Sequence, residues 1–229
     1  MKILVMNGSP KEQSDTMTLT NAFLQGINAE GTSEVKVISS YRKNIQFCTG
    51  CLSCWFRQDG HCVLEDDMNA VLDDMAASDL IIWSFPLHYH GMPASLKAIL
   101  DRTIAFLKIN MKEADGKVDH EKTIDLSAKK HVVIVGGGYP YYPDNFSALK
   151  LHMKTVFGQP TVIGICETSL LNLPSPELQP LKSQLLDRFT EAGHEYSKTG
   201  NLSIETIKAL ERPMIPNEMY IGMINSMQG

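Results

Sequence analysis

"KILVMNGSPKEQSDTMTLTNAFLQGINA" (residues 2–29) joins an apolar run, a loop of small and polar residues, and a helical pattern. "KILVMN" (2–7) reads as a strand, and Met17, Leu19, Ala22, Phe23 and Ile27 recur near helical spacing over 15–29. The alternation continues along the chain. "EVKVIS" (34–39), "DLIIWSF" (79–85), "HVVIVGGG" (131–138) and "TVIGIC" (161–166) read as further strands. Helical patterns fall over 66–78, 93–109, 145–157 and about 176–192, and polar residues 111–127 read as an inserted loop or small hairpin. Strands alternating with helices form right-handed βαβ units, and continuously apolar strands need cover on both faces. The expected fold class is therefore α/β, a doubly wound five-stranded parallel sheet, with no internal repeat.

Composition narrows the partners. Hydrophobic residues make up 43% and charged residues 21% of the 229, near globular averages, so an ordered core is expected. The net charge of -5 and the lack of a long basic run argue against nucleic acid or anionic membrane as partner. The opening apolar run is too short for a signal sequence, and no stretch approaches the length of a membrane span. The expected location is the cytoplasm.

In open α/β sheets ligands bind beyond the carboxyl ends of the strands. Three such loops are unusual here. "NGSPKEQSDT" (7–16) offers the hydroxyls of Ser9, Ser14 and Thr16, the cation of Lys11 and the free N–H groups of a helix start, which together suit a phosphate. It matches neither a Walker A loop nor a G-x-G-x-x-G fingerprint, and Ser14 or Asp15 could equally be an ordinary helix cap. "FPLHYHGMP" (85–93) is stiffened by two prolines and offers His88, Tyr89 and His90 as flat surfaces, with Gly91 allowing close approach. "GGGYPYYPDN" (136–145) follows a buried strand with three glycines and Tyr139. A ligand with a phosphate at the first loop and a flat polycycle between the other two accounts for all three. FMN has that shape.

Four of the five cysteines crowd into "CTGCLSCWFRQDGHC" (48–62), spaced C-x2-C-x2-C-x7-C. On a helix, Cys48, Cys51 and Cys54 would share one side, and Gly50 and Gly60 would let the chain fold back to bring Cys62 to them. Reduced thiols in this pattern suit an iron-sulfur cluster, zinc, or redox-active thiols without metal. Cys166 reads as a buried strand residue. Glu65, Asp66 and Asp67 read as capping a helix, and "LDR" (100–102) as a helix-surface ion pair or packing beneath the second loop.

The three loops, with "NGSPKEQSDTMTL", "FPLHYHGMPASLKAILDR" and "GGGYPYYPDNFSAL", resemble the flavin loops of the flavodoxin-like NAD(P)H-dependent FMN reductase family. "CTGCLSCWFRQDGHCVLEDDM" resembles the compact cysteine motif of its iron-sulfur flavoprotein branch. The resemblance spans about residues 1–175, a flavodoxin-like FMN-binding domain with the cysteine motif 48–62 inserted after the second strand; residues 176–229 are C-terminal helices and tail. It implies that Ser9, Lys11, Ser14, Asp15 and Thr16 hold the FMN phosphate. Pro86, Leu87, His88, Tyr89, His90 and Gly91 would hold the isoalloxazine, with Gly137, Gly138 and Tyr139 on its other side. It also favours a [4Fe-4S] cluster on Cys48, Cys51, Cys54 and Cys62. Asp15 and His88 depart from the family's usual residues there, and an acid beside a phosphate must turn its carboxylate away.

The implied activity is an FMN oxidoreductase that takes electrons from NAD(P)H and passes them to a quinone, a flavin or an iron-sulfur acceptor. Hydride transfer itself demands no acid or base side chain, so no catalytic residue is named. An electron carrier served by protein partners such as ferredoxin is the rival within the class, and a non-enzymatic zinc-binding interaction protein the rival outside it. In the tail, Met219, Met223 and Met227 with Tyr220 and Ile224 make an apolar stripe on a short helix, expected to pack against a second subunit of a homodimer or homotetramer.

Overall fold

The computed structural model describes residues 1–226 apart from 12, 30, 32 and 115, so Met227 lies outside the described residues. The strands are β1 (Lys2–Asn7), β2 (Glu34–Ser39), β3 (Leu80–Pro86), β4 (Leu107–Ala114), β5 (Lys117–Lys122), β6 (Lys130–Gly136) and β7 (Thr161–Ile165). The α-helices are α1 (Asp15–Ile27), α2 (Ser53–Arg57), α3 (Met68–Ala77), α4 (Ala94–Arg102), α5 (Ser147–Phe157), α6 (Gln179–Thr199), α7 (Ile204–Leu210) and α8 (Asn217–Ser226).

Five parallel strands form one sheet in the order β2-β1-β3-β6-β7, and β4 pairs with β5 as a separate antiparallel hairpin. The order reverses beside β1, so the loops after β1 and β3 open at the switch point where ligands of doubly wound sheets bind. The fold expectation stands: a flavodoxin-like doubly wound sheet with a helical C-terminal region. β3 is buried throughout until Pro86, because helices cover both of its faces. Leu4, Met6, Ile81, Trp83 and Phe85 meet α3, α4 and α5 on one side; Ile3, Val5, Leu80 and Ile82 meet α1 and α6 on the other. The helices α1 and α6 touch backbone to backbone: a Cβ on Gly26 would lie 1.9 Å from the Thr190 carbonyl oxygen, and one on Gly193 2.0 Å from that of Phe23. Only glycine permits that approach.

Some elements differ from the expectation. The helix read over 93–109 ends at Arg102; a 3-10 turn follows, and from Leu107 the chain pairs in the hairpin, whose tertiary ladder overrides the helical pattern. α2 and α7, of five and seven residues, are too short for periodicity to register. Among the described residues no helix is long and apolar enough to cross a membrane.

Candidate functional site

The chain turns out of β1 through a loop held by its own side chains. Asn7 Oδ1 accepts the Ser9 N–H (2.9 Å), Ser9 Oγ accepts the Lys11 N–H (3.2 Å), and Ser14 Oγ caps α1 at the Met17 N–H (3.2 Å). The capping reading of Ser14 is therefore correct, and it leaves the first N–H groups of α1, at Asp15 and Thr16, without intrahelical acceptors. Ser9, Lys11, Ser14, Asp15 and Thr16 line a cavity of about 230 Å³, closed by Pro86 at the end of β3, His88 in the loop that follows, and Thr168 and Asn172 from the segment after β7. Gly136 packs against two of these lining residues: a Cβ there would sit 2.8 Å from Thr168 Cγ2 and 2.9 Å from Thr16 Cγ2, so both threonines keep their places because β6 ends on glycine.

Asp15 is the anionic exception in this cavity. Its carboxylate accepts from the Asn172 amide, and burial raises its pKa above the ordinary 3.8 against the pull of Lys11 and Lys182. Asn172 thus ties up the carboxylate that would repel a phosphate. Thr168 and Asn172 were missed in the sequence, although "ETSLLN" (167–172) follows β7 as another loop at a strand's carboxyl end.

The loop after β3 makes a two-residue turn. His88 and Gly91 exchange both backbone hydrogen bonds (3.0 and 2.9 Å), and the Leu87 N–H is spent on the Gly136 carbonyl (2.7 Å). Tyr89 and His90 both adopt positive φ, 48° and 62°, as such a turn requires without the glycines that usually occupy it. Tyr89 is 100% exposed, whereas Leu87 is buried in the core. Leu87 therefore supplies no side-chain surface to a ligand.

The loop after β6 sits apart from the 230 Å³ cavity: Gly137, Gly138 and Tyr139 do not line it. Tyr139 instead stacks on His90, with ring centroids 5.9 Å apart and planes at 6°. The C-terminal segment fastens this loop from behind. Tyr220 donates to the Gly138 carbonyl (2.9 Å), Asn217 exchanges hydrogen bonds with the Tyr141 backbone, and the Glu167 carboxylate accepts the Met214 and Ile215 N–H groups. Of the expected apolar stripe, Tyr220 is buried, Met223 and Ile224 pack half-buried beside Leu170 and Ile215, and Met219 is exposed.

The cysteine segment lies over α4 and the hairpin. Cys48 and Cys51 stand on irregular chain and only Cys54 on a helix, because Gly50 and Leu52 take positive φ (67° and 57°) and prevent a continuous turn. The shared helical side expected for the three is therefore not formed. Folding back achieves the same end: Cys48, Cys51, Cys54 and Cys62 all line one cavity of about 20 Å³ together with Arg102 and Ile104. Burial and the nearby thiols of Cys62, Cys51 and Cys48 raise the Cys54 pKa. The exposed Cys51 thiol is drawn down to about 7 by hydrogen bonds from Ser53 and Thr49. Among the described residues no three His, Cys, Asp or Glu side chains stand in metal-ligand geometry. Cys166 is buried just past the end of β7.

The "LDR" stretch divides: Asp101 makes the expected helix-surface ion pair, with Lys97 one turn back (2.5 Å), whereas Arg102 pairs with Asp66 with both side chains at 0% exposure. Asp66 also accepts the Gln46 (2.8 Å) and Met68 (3.0 Å) N–H groups, while Asp67 turns to the Asn44 N–H (2.8 Å) and makes no side-chain cap. Burial disfavours the Asp66 carboxylate, but Arg102 and the two backbone donors outweigh it and lower its pKa.

A doubly wound α/β sheet in the order β2-β1-β3-β6-β7, with its ligand loops at the switch point, is the flavodoxin type of fold. The chain belongs to the NADPH-dependent FMN reductase family, whose pattern residues 1–137 match. It is 34% identical over 103 residues to an iron-sulfur flavoprotein of Methanocaldococcus jannaschii (45% of this chain, 52% of that one). It is 31% identical over 110 residues to an iron-sulfur flavoprotein of Methanosarcina thermophila (48% and 56%). The chain spans about half the length of these curated relatives. Among solved structures, an NAD(P)H:quinone oxidoreductase from Methanothermobacter marburgensis superposes with a TM-score of 0.60 at 17% identity, over 85% of this chain and 96% of that one. That likeness concerns the fold.

Proposed function

We propose that the chain is an FMN-dependent oxidoreductase that takes electrons from NAD(P)H and passes them to a small acceptor such as a quinone or a flavin. The observation that carries this reading is the 230 Å³ cavity, on which Lys11, three hydroxyls and the α1 N-terminus converge. The donor set fits a phosphate monoester: one cation, Ser9, Ser14 and Thr16 as hydroxyl donors, and helix N–H groups. The cavity is smaller than the ~300–1,000 Å³ that encloses a whole drug-sized ligand, so it suits the phosphate and ribityl end. The ring system would then lie against Pro86, His88 and the exposed turn at Tyr89, His90 and Gly91, with Gly137, Gly138 and Tyr139 bordering it. FMN, when bound, supplies the hydride and electron chemistry. The chain's own residues anchor, orient and shield it. The test is binding of FMN against riboflavin, with oxidation of NADH and NADPH by a benzoquinone. Equal affinity for the two flavins, unchanged in Lys11→Ala, would sink the phosphate cradle.

A second reading is an iron-sulfur flavoprotein that exchanges electrons with protein partners. It is supported by the four thiols on one cavity and by the names of the archaeal relatives. The soft donor set, Cys48, Cys51, Cys54 and Cys62, fits a [4Fe-4S] cluster or zinc. Metal and sulfide analysis of anaerobically purified protein separates the two. For assembly we propose a homodimer or homotetramer, supported by the exposed Met219 and Ile221 on α8. A chain ending at Leu210 that sediments like the full chain would refute a role for the tail.

A further inference from the structure

We propose that Arg102 is a positioning residue of the cysteine pocket, its Nε–H and Nη2–H donating to sulfur of an anionic tetrathiolate centre held by Cys48, Cys51, Cys54 and Cys62. The inference rests on the second reading above and goes beyond it in assigning what the pocket wall does.

Arg102 closes α4 at 1% exposure and lines the same 20 Å³ cavity as all four cysteines. A guanidinium carries five N–H donors and stays charged. Here Nη1 is spent on Asp66 and on the Gln46 carbonyl (3.3 Å). Nε and Nη2 are buried and have no hydrogen-bond partner among the described residues. Asp66 cannot turn to serve them, because its two oxygens already hold Gln46 N–H, Met68 N–H and Nη1. Sulfur dominates the wall it faces: all four cysteines line the cavity, and Cys62 interacts directly with the Arg102 guanidinium. Buried donors without acceptors are rare because their desolvation goes uncompensated. Neutral thiols are weak acceptors and leave these donors nearly idle. Thiolates bound to metal are strong ones.

The Asp66–Arg102 pair is neutral as a unit, so its contribution is directional. The carboxylate fixes the guanidinium plane, and the remaining N–H groups, on Nε and Nη2, face a centre that is dianionic for zinc or for an oxidised [4Fe-4S] core. Hydrogen bonds to cluster sulfur are among the factors that set its reduction potential, and donors favour the more negative, reduced state. The same bonds from Nε and Nη2 help hold the ligand loop in register. The anchor works at long range, since Gln46 precedes the first cysteine by two positions while Asp66 follows the last by four.

The experiment compares anaerobically purified full-length wild type, Arg102→Lys, the double variant D66N/R102M (which buries no lone charge) and Cys62→Ser. All are reconstituted with ferrous iron and sulfide. Iron, sulfide and zinc per chain, the midpoint potential of the centre and bound FMN are measured, FMN retention reporting an intact fold. Support is a wild type with iron that Cys62→Ser loses, a lower midpoint in Arg102→Lys, and metal affinity about 10–100-fold weaker in the double variant with FMN retained. Wild-type iron lost in Cys62→Ser, but metal content and midpoint unchanged in both Arg102 variants, would overturn the role of Arg102 and leave the cluster reading standing. A wild type holding zinc alone removes the redox reading; equal zinc retention by the double variant then overturns the proposal, and its loss supports it. A wild type that takes up neither metal overturns both.

Discussion

The cradle after β1 and the cysteine pocket are both rich in chemistry, but they are assembled differently. Within the loop after β1 the hydrogen bonds join residues two or three apart, Asn7 to Ser9, Ser9 to Lys11 and Ser14 to Met17, and the long-range tie from Asn172 to Asp15 is added to a loop already shaped by its own turns. The pocket hangs on contacts 36, 49 and 56 residues apart, Asp66–Arg102, Trp55–Ile104 and Gln46–Arg102. A site made of local turns survives local damage elsewhere. One made by long-range pinning fails when the pin is drawn.

The largest expected effect follows from that contrast. Asp66→Ala leaves the Arg102 charge buried alone and should cost about 3–5 kcal/mol in urea unfolding. If it costs no more than an exposed pair such as Lys36–Asp74, expected near ~0.5 kcal/mol, the pinning account is wrong. Gly136→Val strikes the cradle by overpacking against Thr16 and Thr168. It should cost about 1–3 kcal/mol and lower FMN affinity roughly tenfold or more, leaving metal uptake intact. Titrating both ligands in one preparation reads the separation of the two regions directly.

Tyr220→Phe is milder. It removes the donor to the Gly138 carbonyl and the contact with Ser169, worth about 1 kcal/mol together, and should loosen the loop after β6. Faster FMN release at unchanged NADH oxidation by the loaded protein would mark the tail as a brace for the loop after β6.

The smallest effect is a pH dependence. Burial raises the Asp15 pKa in the folded chain, so folding favours its protonated form relative to the unfolded chain. That contribution is complete below the ordinary 3.8 and is lost as pH rises through the raised folded value. Asp15→Asn should therefore bind FMN more tightly than wild type near neutrality, with the gap closing as the medium is acidified. A gap that widens toward acid would remove Asp15 from the phosphate site.

The sheet and the first cradle were legible because apolar periodicity and short-range turn chemistry are properties of neighbouring residues. β1 and β2 fall where their patterns place them, and Ser14 caps α1 as its side chain allows. Thr168 and Asn172 escaped notice because the chain between β7 and α6 carries no glycine signature, only a place at a strand's carboxyl end. "LDR" by itself does not separate a surface ion pair from packing beneath the second loop, and the two neighbours go different ways, Asp101 to Lys97 at the surface and Arg102 into the interior. Nothing within a few positions announces that Asp66 will reach Arg102.

The sequence by itself determined the doubly wound sheet, the hydroxyl-rich loop at its switch point and the four gathered cysteines, because hydrophobic period and local hydrogen bonding act over a few residues. Tertiary structure alone decided that a buried guanidinium would face those cysteines and that the tail would brace Gly138. Burial is set by what distant segments bring together, and in a place without water each idle donor must find the one acceptor that the packing supplies.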